Sequence, residues 1–249
     1  MTKSIFKNYW EQVESKRVLR GSPTKSVAIQ LSKKPFEQFD GIDVVQHLSK
    51  ALECEGWGNK LAGKNWYWEI DPTHTTKTAE VKLEREIVGA GAGIWARQMS
   101  TSSGIQGARL NKRRAIDLVR ANGNDSYTFI ELKVKSDNPL YAIFELLGYA
   151  LAYMHARNNR WEGHVQHNVM LATKIDLVIL APVGWYKYKI RGAKSERISF
   201  NLDWLIKELN KGLDALTKDK VNMQISLKHF DFYKDAPAET AKSIISLKW

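Results

Sequence analysis

The stretch YTFIELKVKS, residues 127–136, decides the fold expected of this chain. Its aromatic and β-branched residues favour a β-strand, and the Ser-Asp-Asn-Pro sequence at residues 136–139 ends it. Side chains alternate between the two faces of a strand, so Glu131 and Lys133 are predicted on the same face as Phe129. The opposite face would carry Ile130, Leu132 and Val134. Burying a carboxylate and an ammonium group within an apolar strand costs free energy that their attraction only partly returns, so this pair indicates a function.

The flanking sequence predicts an α/β fold in which a mixed sheet is flanked by helices. Residues 78–90 (TAEVKLEREIVGA) begin with a capping threonine and have apolar residues at helical spacing. Two strands follow at residues 92–100 (AGIWARQMS) and 115–121 (AIDLVRA), and the sequence NGND predicts a tight turn into the opening stretch. A long helix begins at Pro139, and residues 174–183 (KIDLVILAPV) form a fourth strand. The predicted core order is therefore helix, three strands, helix and strand.

Three segments are expected along the chain, joined into one compact unit. Residues 1–75 form a helical N-terminal addition, with helices predicted over residues 3–20 and 41–54. Residues 76–200 hold the core, which ends in a basic, aromatic hairpin or extension. Residues 201–249 form a C-terminal addition of one helix and one strand.

The composition indicates a globular intracellular protein. The chain has 249 residues, 43% of them hydrophobic, and nine Trp, which suffices for a packed core. Cys54 is the single cysteine, which excludes a disulfide framework and a multi-cysteine zinc site and favours a reducing compartment. The N-terminal sequence lacks the apolar stretch of a signal peptide, and no segment has the roughly 20 apolar residues of a membrane span. We therefore expect a soluble cytoplasmic protein.

The charge balance favours a polyanionic partner. Lys and Arg total 38 against 27 Asp and Glu, which gives a net charge of +11 and a pI near 9.6. Neutralising phosphates releases their counterions, so nucleic acid is the expected partner. The alternative is that this chain is a generic basic protein. Two basic clusters are candidate nucleic-acid contacts. The first is Arg109, Lys112, Arg113 and Arg114, for which a solvated loop is the alternative. The second is Lys187, Lys189 and Arg191 in the sequence YKYKIR, for which a hairpin with a polar outer face is the alternative.

Asp117 joins Glu131 and Lys133 in the constellation that carries chemistry. The Glu-x-Lys spacing also occurs twice in predicted helices, where the two charges diverge. Asp117 lies on the preceding strand, which should pair antiparallel with the opening one, and alternation predicts it on the face opposite Ile116 and Leu118. Two carboxylates from adjacent strands beside a lysine suit Mg²⁺, which prefers a few oxygen ligands and keeps several waters. The lysine would limit carboxylate repulsion and hold a water or help to deprotonate it; an edge-strand ion pair on a solvated face is the alternative.

This constellation resembles the PD-(D/E)xK nuclease superfamily, which includes many restriction, repair and recombination nucleases. The resemblance covers residues 78–183 and rests on Asp117, on Glu131-Leu132-Lys133 after a hairpin, on the helix containing FELLGYALAY, and on the order of elements. Members often carry Gln or a related polar residue on that helix with a Tyr one turn later. Glu145 and Tyr149 stand at those positions.

Members also often add a Glu on the first core helix. Glu84 is the first choice here, because Leu83 and Ile87 turn that surface toward the sheet, and Glu80 is its rival. The chain departs from the family pattern in two places: no Pro precedes Asp117, and Glu replaces the more frequent Gln at position 145.

The resemblance implies metal-dependent hydrolysis of phosphodiester bonds, above all in DNA. Asp117, Glu131 and the backbone carbonyl of Leu132 would hold Mg²⁺ or Mn²⁺. Glu84 would contact the metal or its water, and Lys133 would orient the attacking water. The alternatives are a catalytically inactive nuclease-like module that binds nucleic acid, and an assembly protein whose basic surface meets an acidic protein. A homodimer is also open, because many members cut both strands as dimers.

Overall fold

The structure is a computed structural model, and it describes most of the predicted core. The described residues are 40–54, 66, 68, 78–91, 93–101, 115–134, 139–158, 168–185, 187–189, 197–199, 203–218 and 223–249. The helix predicted over residues 3–20 lies outside these ranges. So do Arg109, Lys112, Arg113, Arg114 and Arg191.

Five α-helices and seven strands make up the described residues. The helices are α1 (Gly41–Cys54), α2 (Ala79–Ala90), α3 (Pro139–Asn158), α4 (Asp203–Lys218) and α5 (Pro237–Ile245), and a 3₁₀ turn covers Asn168–Leu171. The strands are β1 (Trp95–Ser100), β2 (Ala115–Gly123), β3 (Ser126–Leu132), β4 (Lys174–Pro182), β5 (Lys187–Lys189), β6 (Arg197–Ser199) and β7 (Gln224–Phe232).

A five-stranded mixed sheet organises the fold. Its order is β1-β2-β3-β4-β7, and a separate antiparallel pair joins β5 to β6. The first three strands run antiparallel, whereas β3, β4 and β7 run parallel to one another. Parallel neighbours need long crossovers, which α3 and α4 supply. The predicted α/β class, with a mixed sheet flanked by helices, is confirmed.

Helices cover both faces of the sheet. One core cluster joins residues of α1, α3 and α4 to the sheet face that carries Phe129. The second joins residues of α2 and α5 to the face that carries Ile130, Leu132 and Val134. The alternation predicted for the opening stretch is therefore confirmed, and the Glu131–Lys133 segment runs between two apolar layers.

Several local predictions are also confirmed. Thr78 caps α2, since its Oγ1 accepts a hydrogen bond from the backbone N–H of Val81 at 3.3 Å. The turn between β2 and β3 places both Asn124 and Asp125 at positive φ, 49° and 55°, as a two-residue hairpin turn requires. The basic, aromatic segment after β4 forms the β5–β6 hairpin.

The C-terminal segment is more closely tied to the core than a separate addition would be. β7 pairs with β4 along its whole length, from Lys174↔Gln224 to Pro182↔Phe232, and so lies at an edge of the main sheet. On this strand, the side-chain amide of Asn210 on α4 bonds both the N–H and the carbonyl of Leu227, at 2.7 Å and 3.0 Å. The domain division at residue 200 therefore cuts through the sheet.

The sequence analysis missed α5. Of its nine residues only Thr240, Ala241 and Ile244 are buried, so its apolar periodicity is too short to stand out from the sequence. Among the helices in the described ranges, none combines the length and the apolar character that a membrane crossing requires.

Candidate active site

The regular pairing of β2 with β3 gives way to a side-chain contact at Asp117. The paired residues run from Gly123↔Ser126 to Leu118↔Ile130, and Asp117 lies just beyond the last of them. There the carboxylate Oδ2 of Asp117 accepts a hydrogen bond from the backbone N–H of Leu132 at 2.9 Å. This bond holds Asp117 against the backbone of Leu132, the residue whose carbonyl is the third predicted metal ligand.

The prediction that Ile116 and Leu118 share one face of β2 is wrong. Ile116 packs in the first core cluster and Leu118 in the second. The break lies opposite Asp117, at Gln98 of β1, which sits between the pairs Arg97↔Leu118 and Met99↔Ile116. Gln98 has a φ of 51°, in the left-handed region that non-glycine residues rarely adopt, and it lies opposite the point where β2 loses simple alternation.

Glu131 and Lys133 form a buried ion pair. Lys133 Nζ lies 2.5 Å from Glu131 Oε1, and the two residues are only 6% and 3% exposed. A second carboxylate, Oε2 of Glu145 on α3, lies 3.7 Å from the same ammonium group. One turn along α3, the Tyr149 hydroxyl is 3.3 Å from Glu145 Oε1 and 3.2 Å from the carbonyl of Ala115. Of the two supporting residues predicted on this helix, Glu145 therefore faces the lysine, and Tyr149 contacts Glu145.

Glu84, rather than Glu80, enters the interior on α2. It is 2% exposed, accepts a hydrogen bond from Gln98 Nε2 at 2.9 Å, and lies 3.9 Å from the Arg97 guanidinium. Glu80 is partly buried and accepts a hydrogen bond from the backbone N–H of Val134 at 3.2 Å. Glu80 thus ties α2 to the end of β3, and Glu84 is the helix carboxylate that acts electrostatically on Asp117.

The carboxyl groups of this cluster are hard to ionise together. Burial raises the pKa of Glu84 to about 7, an effect that the Gln98 hydrogen bond opposes. Burial, and then repulsion from Glu84, raise the pKa of Asp117 well above its usual value. Burial, and then repulsion from Asp117, do the same to the pKa of Glu131. Desolvation and like charge both disfavour the carboxylate form, so the cluster favours an additional cation.

Lys133 behaves in the opposite way. Burial by itself would lower the pKa of Lys133, but attraction to Glu131, Glu145 and Asp117 outweighs it, and the pKa is raised. Lys133 is therefore an ammonium group at neutral pH. In that form it offers positive charge and hydrogen-bond donors and has no lone pair to accept a proton.

Glu131 also carries an unsatisfied oxygen. Its Oε1 meets Lys133, but its Oε2 is buried and accepts no hydrogen bond within the described part of the chain. An unpaired buried carboxylate oxygen is costly, and a bound cation would satisfy it. The oxygen donors of Asp117 and Glu131 are of the type that Mg²⁺ and Mn²⁺ prefer. These residues therefore fit a divalent metal ion.

The described residues contain no group of three or more His, Cys, Asp or Glu side chains arranged so that they could hold a metal ion. The predicted protein ligands comprise two carboxylates, from Asp117 and Glu131, and the Leu132 carbonyl. Such a set leaves positions for water and substrate, as Mg²⁺ sites commonly do.

The candidate nucleic-acid residues are placed only in part. Lys187 and Lys189 lie on β5, opposite Ser199 and Arg197 of β6, and the structure describes the backbone of this hairpin. The other candidates, Arg109, Lys112, Arg113, Arg114 and Arg191, lie outside the described residues.

Sequence reasoning overlooked Arg97 and Gln98, which both contact Glu84. The sequence contained a signal, because two adjacent polar residues interrupt the strand WARQMS. In the structure Arg97 is buried, with 3% of its surface exposed. A buried arginine within a strand usually has a carboxylate partner.

Comparisons with protein-family models, with curated proteins and with solved structures found no match to this chain.

Proposed function

We propose that this chain is a metal-dependent nuclease that hydrolyses phosphodiester bonds, above all in DNA, and uses Mg²⁺ or Mn²⁺. The observation that carries the proposal is the buried, unpartnered Oε2 of Glu131, which lies in a cluster with Asp117 and Lys133. A carboxylate oxygen without a protein donor suits a site that is completed by a cation. The net charge of +11 favours the polyanionic substrate.

A restriction-endonuclease-like core of the PD-(D/E)xK superfamily is part of this proposal. The elements α2, β1, β2, β3, α3 and β4 follow one another in the order expected of that core. The positions of the candidate residues support it: Asp117 lies on β2, Glu131 and Lys133 lie at and just after the end of β3, and Glu145 and Tyr149 lie on α3. A cytoplasmic location, expected from the composition, belongs to the same proposal.

The chain's own residues prepare the site for hydrolysis. Asp117 and Glu131 would hold the metal ion, and the hydrogen bond from the N–H of Leu132 orients Asp117. When bound, the metal would lower the pKa of a water and polarise the phosphate. Lys133 stabilises negative charge that develops on the phosphate and holds the attacking water by donating to it. Glu145 and Tyr149 position the Lys133 ammonium group.

Glu84 supplies the third acidic group. Its pKa of about 7 means that it exchanges a proton near neutral pH, and its hydrogen bond to Gln98 fixes the direction of the carboxylate. A carboxyl group of this kind is suited to accept a proton from a water held beside it. The pH dependence of Glu84 is thus expected to appear in the rate.

Cleavage assays on four substrates test the proposal. Plasmid, linear duplex, single-stranded DNA and RNA are incubated with Mg²⁺, Mn²⁺ or EDTA. The wild-type chain should cut at least one of them only with a metal present, and Glu131→Gln, which removes the charge but keeps the shape, should lose more than about a hundredfold in rate. Glu86→Gln is the matched control, because Glu86 is exposed on α2 and should leave the rate unchanged.

Cleavage in EDTA, or full activity in Glu131→Gln, would contradict the proposed mechanism. If all four nucleic acids bind with a steep salt dependence and none is cut, the chain is a nuclease-like binding module. If none of the four nucleic acids binds, the result favours the alternative of an assembly protein.

A further inference from the structure

A cavity of about 370 Å³ lies where β3 and β7 end. The first turns of α2 and α5 line it together with the residues that follow the two strands. β3, β4 and β7 are parallel, so the cavity is at the carboxyl end of the parallel part of the sheet.

The cavity and the acidic cluster are built from neighbouring residues of the same two elements, α2 and the end of β3. Leu83, which lines it, directly precedes Glu84, and Val134, which also lines it, directly follows Lys133. The hydrogen bond from the Val134 N–H to Glu80 fastens α2 to the end of β3. Val134 and Lys133 point to opposite faces, so a nucleotide in the cavity would lie across the end of β3 from the Lys133 ammonium group.

The lining combines an apolar floor with a charged rim. Leu83, Val134 and Phe232 are buried and apolar, whereas Lys82, Lys234 and Asp235 are exposed. Neither lysine forms an ion pair within the described ranges, so both ammonium groups are available to a ligand. Lysine binds phosphate as a mobile point charge.

The volume and the chemistry of the cavity suit one nucleotide. Pockets that bind small ligands begin at about 300 Å³. A nucleotide offers an apolar ring for the floor, a phosphate for the two lysines, and sugar hydroxyl or base amino groups that can donate to the Asp235 carboxylate. Together these groups match each part of the lining.

We infer that the cavity is a nucleotide subsite, in which Lys82 and Lys234 bind a phosphate of the nucleic-acid strand presented to the acidic cluster. The inference rests on the proposed function for the identity of the strand, and it adds where one nucleotide beside the reacting phosphate is held. The nucleotide can be internal to a strand or can form its end.

Binding without metal tests the inference independently of cleavage. Deoxyadenosine 5′-monophosphate and inorganic phosphate are titrated in EDTA against the wild-type chain and the variants Lys82→Ala, Lys234→Ala and their double. The double variant should weaken mononucleotide binding by about tenfold or more, because two charged hydrogen bonds are lost. The control Lys207→Ala, which removes an exposed charge from α4, should change it by less than about twofold.

Oligonucleotides then identify the source of the nucleotide. Affinity for a single strand is measured against salt concentration, and each cavity substitution should reduce the slope of log Kd against log salt by about one. The strand is supplied as a circle and as linear forms with 5′-phosphate, 3′-phosphate or hydroxyl ends. If the cavity substitutions weaken binding of the circle as well, the cavity holds an internal nucleotide. If they weaken binding only of strands with a phosphorylated end, the cavity holds a strand terminus.

The results separate this inference from the proposed function. If the wild-type chain cuts nucleic acid and the double variant binds and cuts as well as Lys207→Ala, the subsite is refuted and the nuclease stands. If no cleavage occurs with any metal but the double variant loses mononucleotide binding, the subsite stands and the nuclease is refuted.

Discussion

Gln98 and Glu84 are joined by a 2.9 Å hydrogen bond from the Gln98 side-chain amide to the Glu84 carboxylate. Gln98 makes this bond from a left-handed backbone conformation in the middle of β1, opposite Asp117. A non-glycine residue in that conformation costs of order 1 kcal/mol, and such strain is concentrated at functional sites. The bond therefore links an irregular strand to the carboxylate with a pKa near 7.

Replacing Gln98 with Leu should weaken the metal site. The Gln98 bond lowers the pKa of Glu84, so Gln98→Leu should raise that pKa and shift the acidic limb of the kcat/KM profile to higher pH. Mn²⁺ affinity should fall by about tenfold, as is usual when a residue that orients a ligand is lost. Mn²⁺ titration and the pH profile are the measurements. Gln224→Leu, at an exposed site on β7, is the control; a Gln98→Leu variant that matches it in both measurements would contradict this role.

The metal-free protein should lose stability as pH rises from 5 to 8. The Glu84 carboxyl holds its proton up to about pH 7 when folded, but releases it near its ordinary value of 4.5 when unfolded. Its stabilising contribution is thus complete below pH 4.5 and is lost as pH rises through 7, on the order of 3 kcal/mol in all. Urea unfolding in EDTA across this range measures it. Glu84→Gln should show a smaller decline than the wild type; parallel declines would show that Glu84 is not responsible.

Variants of the Glu131–Lys133 pair should affect stability and activity differently. Lys133→Met leaves Glu131 buried without its partner and should cost about 3 kcal/mol of unfolding free energy at pH 8. Glu131→Gln combined with Lys133→Met removes both charges and should recover most of that loss. Urea unfolding measures stability, and cleavage with Mn²⁺ measures activity, which should be absent in both variants. An active double variant would show that the pair is only structural.

The contact between α1 and α4 should govern stability without touching the site. A Cβ at Gly41 would lie 1.8 Å from the Glu208 carbonyl oxygen, and one at Gly212 would lie 2.2 Å from the Gly41 carbonyl oxygen. Gly41→Ala or Gly212→Ala must therefore separate the helices, at a cost of about 1–3 kcal/mol. Thermal unfolding measures this, and activity well below the melting temperature should persist.

Gly89→Ala is the matched control for these glycine variants. Gly89 lies within α2, and a Cβ there would meet nothing within 4 Å. This substitution should raise stability by about 0.5–1 kcal/mol, because alanine loses less chain entropy in a helix. If Gly212→Ala were equally neutral, the close approach of the two helices would be refuted.

Most of the fold could be predicted from the sequence because the local signals agreed with the tertiary arrangement. The apolar alternation of β3, the Asn124-Asp125 turn and the Thr78 cap each depend on neighbours in the chain. The same applies to the pairing of Glu131 with Lys133, two residues apart on one strand. The parallel placement of β7 beside β4 depends on a crossover through α4, and nothing local specifies it.

The parts of the site that escaped prediction depend on long-range geometry. The faces of Ile116 and Leu118 were assigned by alternation, which fails at the position opposite the left-handed Gln98 of the next strand. The contacts of Arg97 and Gln98 with Glu84 join β1 to α2. In the sequence, the only sign of these contacts is a pair of polar residues within an apolar strand.

Asn210 has a consequence for how these molecules behave together in solution. Within the described sheet, β7 is an outer strand, and the outward N–H and carbonyl of such a strand are a template on which another molecule can add its own strand. The Asn210 amide already occupies both groups at Leu227. A strand added here would have to break both hydrogen bonds, so strand addition is disfavoured at the middle of this edge.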